Sequence, residues 1–225
     1  MTALRVLVVF DLDGTLIDSS RDLANAVNAA LRRVDPAAPT LALDVVRSFI
    51  GSGARKLVAR SLVHAGIALP AEDVLPVFLE EYERRLTEHT RFYPGIEAVL
   101  DRLAEHPLAV LTNKPGAMSR RILEALGAAP RFFRVYGGGD LPSRKPDPEG
   151  LQRLMAESMA TPAATVMVGD SSIDVQTGRA AGARTVGVRY GFDPESLILE
   201  PPDALYDSLD ALPAFVESLR ASVLR

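Results

Sequence analysis

Asp11 and Asp13 stand two residues apart at the end of an apolar run and are followed by Gly14 and Thr15. A second apolar run ends in Thr112-Asn113-Lys114. A third ends in Gly169-Asp170, with Ser171, Ser172 and Asp174 just beyond, and Lys145 lies in the loop Arg144-Lys145-Pro146-Asp147-Pro148. Bare carboxylates at the ends of apolar strands need a reason, because clustered like charges repel and buried ones cost several kcal/mol. A hard divalent cation supplies it. Magnesium takes oxygen ligands, commonly one or two carboxylates together with water and a substrate phosphate. Asp11 and Asp170 on neighbouring strands can reach one ion, with Asp174 in an outer position. The remaining groups suit phosphoryl transfer. Asp11 can attack phosphorus, and Asp13 can protonate the leaving oxygen and then deprotonate water. Thr112 and Lys145 can orient and neutralise phosphoryl oxygens.

These residues converge only if the strands are neighbours in one sheet. The run over 4–10 is continuous and β-branched, as in a strand buried on both faces of a parallel sheet. Shorter runs recur at 108–111, 165–168 and 185–188, with a weaker one at 133–136. Helical patterns at 96–105, 118–126, 148–158 and 173–181 alternate with them, and 209–219 reads as a closing amphipathic helix. This alternation predicts an α/β fold, a Rossmann-like parallel sheet with helices on both faces. In such a sheet, ligands bind beyond the carboxyl ends of the strands, where all the residues above fall.

The segment from about 19 to 91 breaks the alternation. Helical patterns at 22–33, 42–49, 54–64 and 74–89 predict an all-helical insertion, and Pro94-Gly95 marks the return to the sheet. The expected organisation is a core of 1–18 and 91–225 with the insertion at 19–90.

The 225 residues carry a net charge of −4, so no broad basic footprint for nucleic acid is present, and the chain contains no cysteine for a disulfide, thiolate site or thiol nucleophile. No stretch is long and apolar enough for a signal sequence or membrane span, so a cytoplasmic protein without a membrane partner is expected. Only three of the 25 cationic residues are lysines, Lys56, Lys114 and Lys145. In a background that fills its surface with arginine, a lysine marks places where a compact point charge is wanted.

Asp11-Leu12-Asp13-Gly14-Thr15, Thr112-Asn113, Lys145-Pro146 and Gly169-Asp170 with Asp174 together resemble the motifs of the haloacid dehalogenase superfamily. The resemblance implies a magnesium-dependent hydrolase working through an aspartyl-phosphate, with a mobile cap formed by the helical insertion. It also implies that Asp13 offers its backbone carbonyl to the metal beside Asp11, Asp170 and Asp174. Within the superfamily, Leu16-Ile17-Asp18-Ser19 with Asp22-Leu23-Ala24, Ile50-Gly51-Ser52-Gly53, Thr112-Asn113-Lys114-Pro115, Gly137-Gly138-Gly139-Asp140 and Pro202-Asp203-Ala204 are similar to bacterial phosphoglycolate phosphatases. Arg21 departs from that family, which carries proline there. The substrate this implies is a small anionic phosphate ester, 2-phosphoglycolate, and the protein a monomer or small homo-oligomer.

Substrate-binding positions are expected at Asn113 and at Arg55 or Lys56, where the loop containing Gly51-Ser52-Gly53 would dip toward the site and meet the substrate's carboxylate. Other chemistries remain. A 2-haloacid dehalogenase has no use for a second acid at position 13. A phosphonatase requires a cap lysine for a Schiff base, for which Lys56 is the candidate. A β-phosphoglucomutase-like mutase would share the nucleophile, although Thr15 favours water as acceptor. A phospho-accepting receiver module would be shorter and lack the insertion.

Overall fold

The computed structural model describes residues 5–223. Leu4, with which the first predicted strand opens, lies outside the described residues; the strand itself, β1, spans Leu7–Phe10 and is wholly buried. Strands β4 (Leu108–Pro115), β5 (Arg134–Gly138), β6 (Thr165–Gly169), β7 (Arg184–Val188) and β8 (Ala204–Tyr206) join it in a six-stranded sheet of order β5-β4-β1-β6-β7-β8. Every pairing in that sheet is parallel. β1 sits between β4 and β6, so the sequence neighbours of its two flanks diverge at this point, and the crevice beyond its carboxyl end is where a ligand belongs.

Side-chain alternation along β1 sends Val8 and Phe10 into one core cluster and Leu7 and Val9 into another, so the sheet is covered on both faces. The second cluster is closed by Leu151, Leu154 and Met155 of α7 (Glu149–Ser158). The first holds Ile96, Val99 and Leu100 of α5 (Ile96–Arg102), Ile122 and Leu123 of α6 (Gly116–Ala125), and Val216 of α10 (Leu212–Val223).

After β1 the chain leaves the sheet through β2 (Ile17–Asp18) and returns through β3 (Arg91–Phe92), which pair antiparallel. Between them lie α1 (Ser20–Val34), α2 (Leu43–Arg47), α3 (Ala54–Ala65) and α4 (Ala71–Glu83). Their apolar faces meet around Val27, Leu31, Leu57, Leu62 and Phe78, each at most 3% exposed. The helix expected over 74–89 starts earlier and stops at Glu83. Its last residues are drawn off into turns because the buried carboxylate of Asp22, on α1, accepts the backbone N–H groups of His89 and Thr90 and the Thr90 hydroxyl. No helix among the described residues is long and apolar enough to cross a membrane.

Candidate active site

Each strand that borders the crevice delivers a different group. Asp11 follows β1 directly and is anchored by its N–H donating to the Val168 carbonyl at 2.8 Å. Thr112 and Asn113 lie in the last half of β4, and Asp170 follows β6. Helix α8 (Ser172–Ala180) opens with a reciprocal cap in which Ser171 donates its N–H and hydroxyl to Asp174 Oδ2. That cap fixes the other oxygen of Asp174 toward Lys145. Lys145 sits on the connection from β5 to α7, with a cis bond to Pro146.

The structure brings Asp11, Asp170 and Asp174 within 4.8 Å of one another, all buried. Lys145 Nζ lies 2.6 Å from Asp174 Oδ1, to which it donates, and 2.9 Å from Asp11 Oδ1. One buried ammonium, with three hydrogens to offer, thus pairs with both carboxylates. Asp170 is held through Oδ1 by the Thr15 hydroxyl at 3.3 Å and through Oδ2 by the Phe192 N–H at 2.6 Å. The approach to these carboxylates is too close for side chains. A Cβ at Gly14, whose φ is +84°, would collide with the Asp170 carboxylate, and one at Gly169 with that of Asp174.

Three largely buried carboxylates thus face one ammonium. Burial, and then the neighbouring Asp174, push the Asp11 carboxyl up to about 6 against the pull of Lys145. Burial together with Asp174 and Asp11 raises Asp170 well above the usual carboxylate range. Burial opposes the charge on Lys145, but Asp11 and Asp174 outweigh it and raise its pKa. Surplus negative charge and an all-oxygen donor set are what a hard divalent cation requires, so Asp11, Asp170 and Asp174 fit magnesium.

Asp13 occupies a different position. Its carboxylate accepts from the Ser19 hydroxyl and from Lys114 Nζ, the latter at 3.0 and 3.1 Å. Asp13 separates two hollows. One is an open groove of about 480 Å³ bordered by Ser48, Gly51, Asp170, Ser171 and Phe192. The other is a narrower hollow of about 40 Å³ between the sheet and the helical insertion, reached by Asp11, Asp13, Thr112, Asn113 and Lys114 and bordered by apolar side chains of the insertion. Thr112 Oγ1 accepts the Lys114 N–H, and Asn113 Nδ2 donates to the carbonyls of Lys145 and Gly51. The loop around Gly51 therefore does dip to the site.

Arg55 and Lys56 do not follow it. Arg55 turns outward to an exposed ion pair with Glu72, and Lys56 is exposed; neither borders the narrower hollow. The reason is helical geometry: Gly53 and Ala54 begin α3 against the hollow, and Leu57 is the next residue to return to it one turn later. Lys114, singled out in sequence by the scarcity of lysine but given no role there, is buried with its side chain 3% exposed. The residue that sequence reasoning missed is Tyr82 of α4, whose hydroxyl accepts from Lys114. Nothing local marks it.

Residues 8–188 match the family described as haloacid dehalogenase-like hydrolase. The chain is 40% identical over 215 residues to a phosphoglycolate phosphatase of Pseudomonas putida, an alignment covering 92% of this chain and 78% of that protein. It is 38% identical to a phosphoglycolate phosphatase of Haemophilus influenzae, over 92% and 96% of the two chains. A crystal structure of a predicted phosphoglycolate phosphatase from Haemophilus somnus superposes with a TM-score of 0.88 at 32% identity, covering 96% of this chain and 99% of that one. Ordered motifs, sheet topology and relatives of this closeness agree, and the chain belongs to the haloacid dehalogenase-like hydrolases.

Proposed function

We propose that the protein is a magnesium-dependent phosphomonoesterase that acts through an aspartyl-phosphate on Asp11, with 2-phosphoglycolate as substrate and glycolate and phosphate as products. The observation that carries this reading is the buried Asp11 carboxylate paired with Lys145, in reach of Asp170 and Asp174. Its relatives of 37–40% identity named phosphoglycolate phosphatase support the choice of ester.

Asp11, Asp170 and Asp174, with the Asp13 backbone carbonyl, would hold the ion. When bound, magnesium neutralises charge on the phosphoryl oxygens and lets an anionic side chain approach an anionic ester. The chain's own groups account for the rest. Asp11 attacks phosphorus as the bond to the ester oxygen breaks, and Asp13 gives its proton to that oxygen to release glycolate. Asp13 then takes a proton from water, whose oxygen attacks the phosphorus of the acyl phosphate, freeing phosphate and restoring the Asp11 carboxylate. Lys145 and Thr112 steady the phosphoryl oxygens, and Asn113 ties the site to the insertion through Gly51. The helices of 19–90 act as a cap that excludes water during phosphorylation of Asp11.

The exposed position of Lys56 gives a Schiff-base reaction no lysine in the hollow from the insertion. Phosphate release from a panel of small esters, measured with magnesium and with a chelator, tests the reading. Magnesium-dependent turnover with 2-phosphoglycolate as the preferred ester is expected. Equal turnover in chelator, or a preference for hexose phosphates, contradicts it.

A further inference from the structure

We propose that Lys114, seated by Tyr82, is the specificity-determining residue that recognises a carboxylate next to the phosphate ester; this rests on the phosphatase reading above and names what selects the substrate. The hollow beside Asp13 is walled by Leu23, Ile50, Leu57, Phe78 and Leu79, apolar side chains that disfavour an unpaired charge. Among the residues that border it, Lys114 is the one cation. The other buried lysine, Lys145, is committed to Asp11 and Asp174, and Arg55 is paired with Glu72 at the surface.

The donor count of Lys114 leaves room for a ligand. An ammonium has three hydrogens. The two oxygens of Asp13, at 3.0 and 3.1 Å, share one direction, and the Tyr82 hydroxyl takes another. The Tyr82 ring centre is 4.5 Å from Nζ, so the ammonium sits beside the hydroxyl end of the ring. The third donor has no acceptor at hydrogen-bond distance among the described residues.

The position of that donor fixes chain length as well as charge. Asp13, the proton donor to the ester oxygen, is in direct contact with Lys114. A carboxylate that meets Lys114 while its ester oxygen meets Asp13 must be separated from that oxygen by a very short link. A 2-phosphooxy acid satisfies this; each added methylene carries the carboxylate past Nζ into the apolar wall. Because α4 supplies Tyr82, the ammonium is fully seated only when the insertion is packed over the sheet, so acid recognition and enclosure of the site coincide.

The test compares kcat/KM for 2-phosphoglycolate with that for ethyl phosphate, the same length without the carboxyl group. The wild-type protein is expected to favour the acid strongly. Lys114→Met should reduce that preference by about a hundredfold, chiefly through KM for the acid, as expected for loss of one partner of a buried ion pair. Tyr82→Phe, which keeps the packing, should reduce it by roughly tenfold and reads the same ratio if Lys114→Met does not fold. Lys114→Arg should retain part of the preference. Equal losses on both esters would overturn the inference and make Lys114 a positioning residue for Asp13. A wild-type protein indifferent to the carboxyl group would overturn the choice of 2-phosphoglycolate itself, whereas a wild-type preference that survives both variants would overturn the role of Lys114 alone.

Discussion

Lys145 Nζ stands 2.6 Å from Asp174 Oδ1 and 2.9 Å from Asp11 Oδ1, so one buried ammonium pairs with two carboxylates at once. With Asp170 beside them negative charge is in excess, which suits a nucleophile provided that something else balances the charge around it. This shared ion pair defines the site, and the expected behaviour of the protein follows from it.

Metal and protons compete for the same oxygens. Asp11 is raised from 3.8 to about 6 and Asp170 rises with it. Without metal, the folded protein therefore holds protons that the unfolded chain has already released between about pH 4 and 6, and its stability falls as pH rises through that window. Magnesium reverses the penalty. Its effect on the melting temperature is expected to be small near pH 5 and on the order of 5 °C near pH 7. Thermal melts at both values, with magnesium and with chelator, provide the check; a shift that does not grow with pH contradicts the assignment.

Lys145→Met removes the one ammonium from the three carboxylates. Leaving buried charges uncompensated costs about 3–5 kcal/mol. Denaturant titration in chelator should show a loss of that order, with part of it recovered on adding magnesium, and phosphate release should fall severely in both conditions.

Arg47 on α2 joins the insertion to the loop that steadies Asp170. Its Nη2 donates to the carbonyls of Tyr190 and Gly191, and its guanidinium lies 5.1 Å from the centre of the Phe192 ring. Phe192 in turn donates its N–H to Asp170. Arg47→Ala should raise the magnesium concentration for half-maximal activity by about three- to tenfold, as expected for loss of a hydrogen bond worth ~1 kcal/mol. A change in KM for the ester with no change in metal requirement would contradict this coupling.

Asp22 fastens the returning chain to α1 by accepting from two backbone N–H groups and a hydroxyl while fully buried. Asp22→Ala orphans those donors and should destabilise the protein by about 3 kcal/mol or more in denaturant titration. An unchanged midpoint would show that the β2–β3 crossing is held by other contacts.

Much of this was legible from sequence, for identifiable reasons. The stretch from Val6 to Phe10 before Asp11 has no polar break, so a strand buried on both faces was forced, and the runs at 108–111 and 165–168 lead into Thr112 and Asp170. Parallel topology then placed Asp11, Thr112, Asp170 and Asp174 on one rim. The insertion was less legible. Its helices are amphipathic and were found, but the end of α4 is decided by Asp22, 67 positions away from His89. The positions of Arg55 and Lys56 depend on the angle at which α3 starts, which no local pattern encodes. The scarcity of lysine singles out Lys114, but its partner Tyr82 lies 32 residues earlier on another element and could not be read beside it.

The central claim is that Asp11 is phosphorylated during turnover. Rapid acid quench during hydrolysis of 2-phosphoglycolate with magnesium, followed by borohydride reduction and peptide mass spectrometry, reads it directly. Homoserine at position 11, absent from Asp11→Asn and from reactions in chelator, is the expected result. Phosphate released in bursts or at steady state with no modification of Asp11, or with a modified residue elsewhere, would contradict the account.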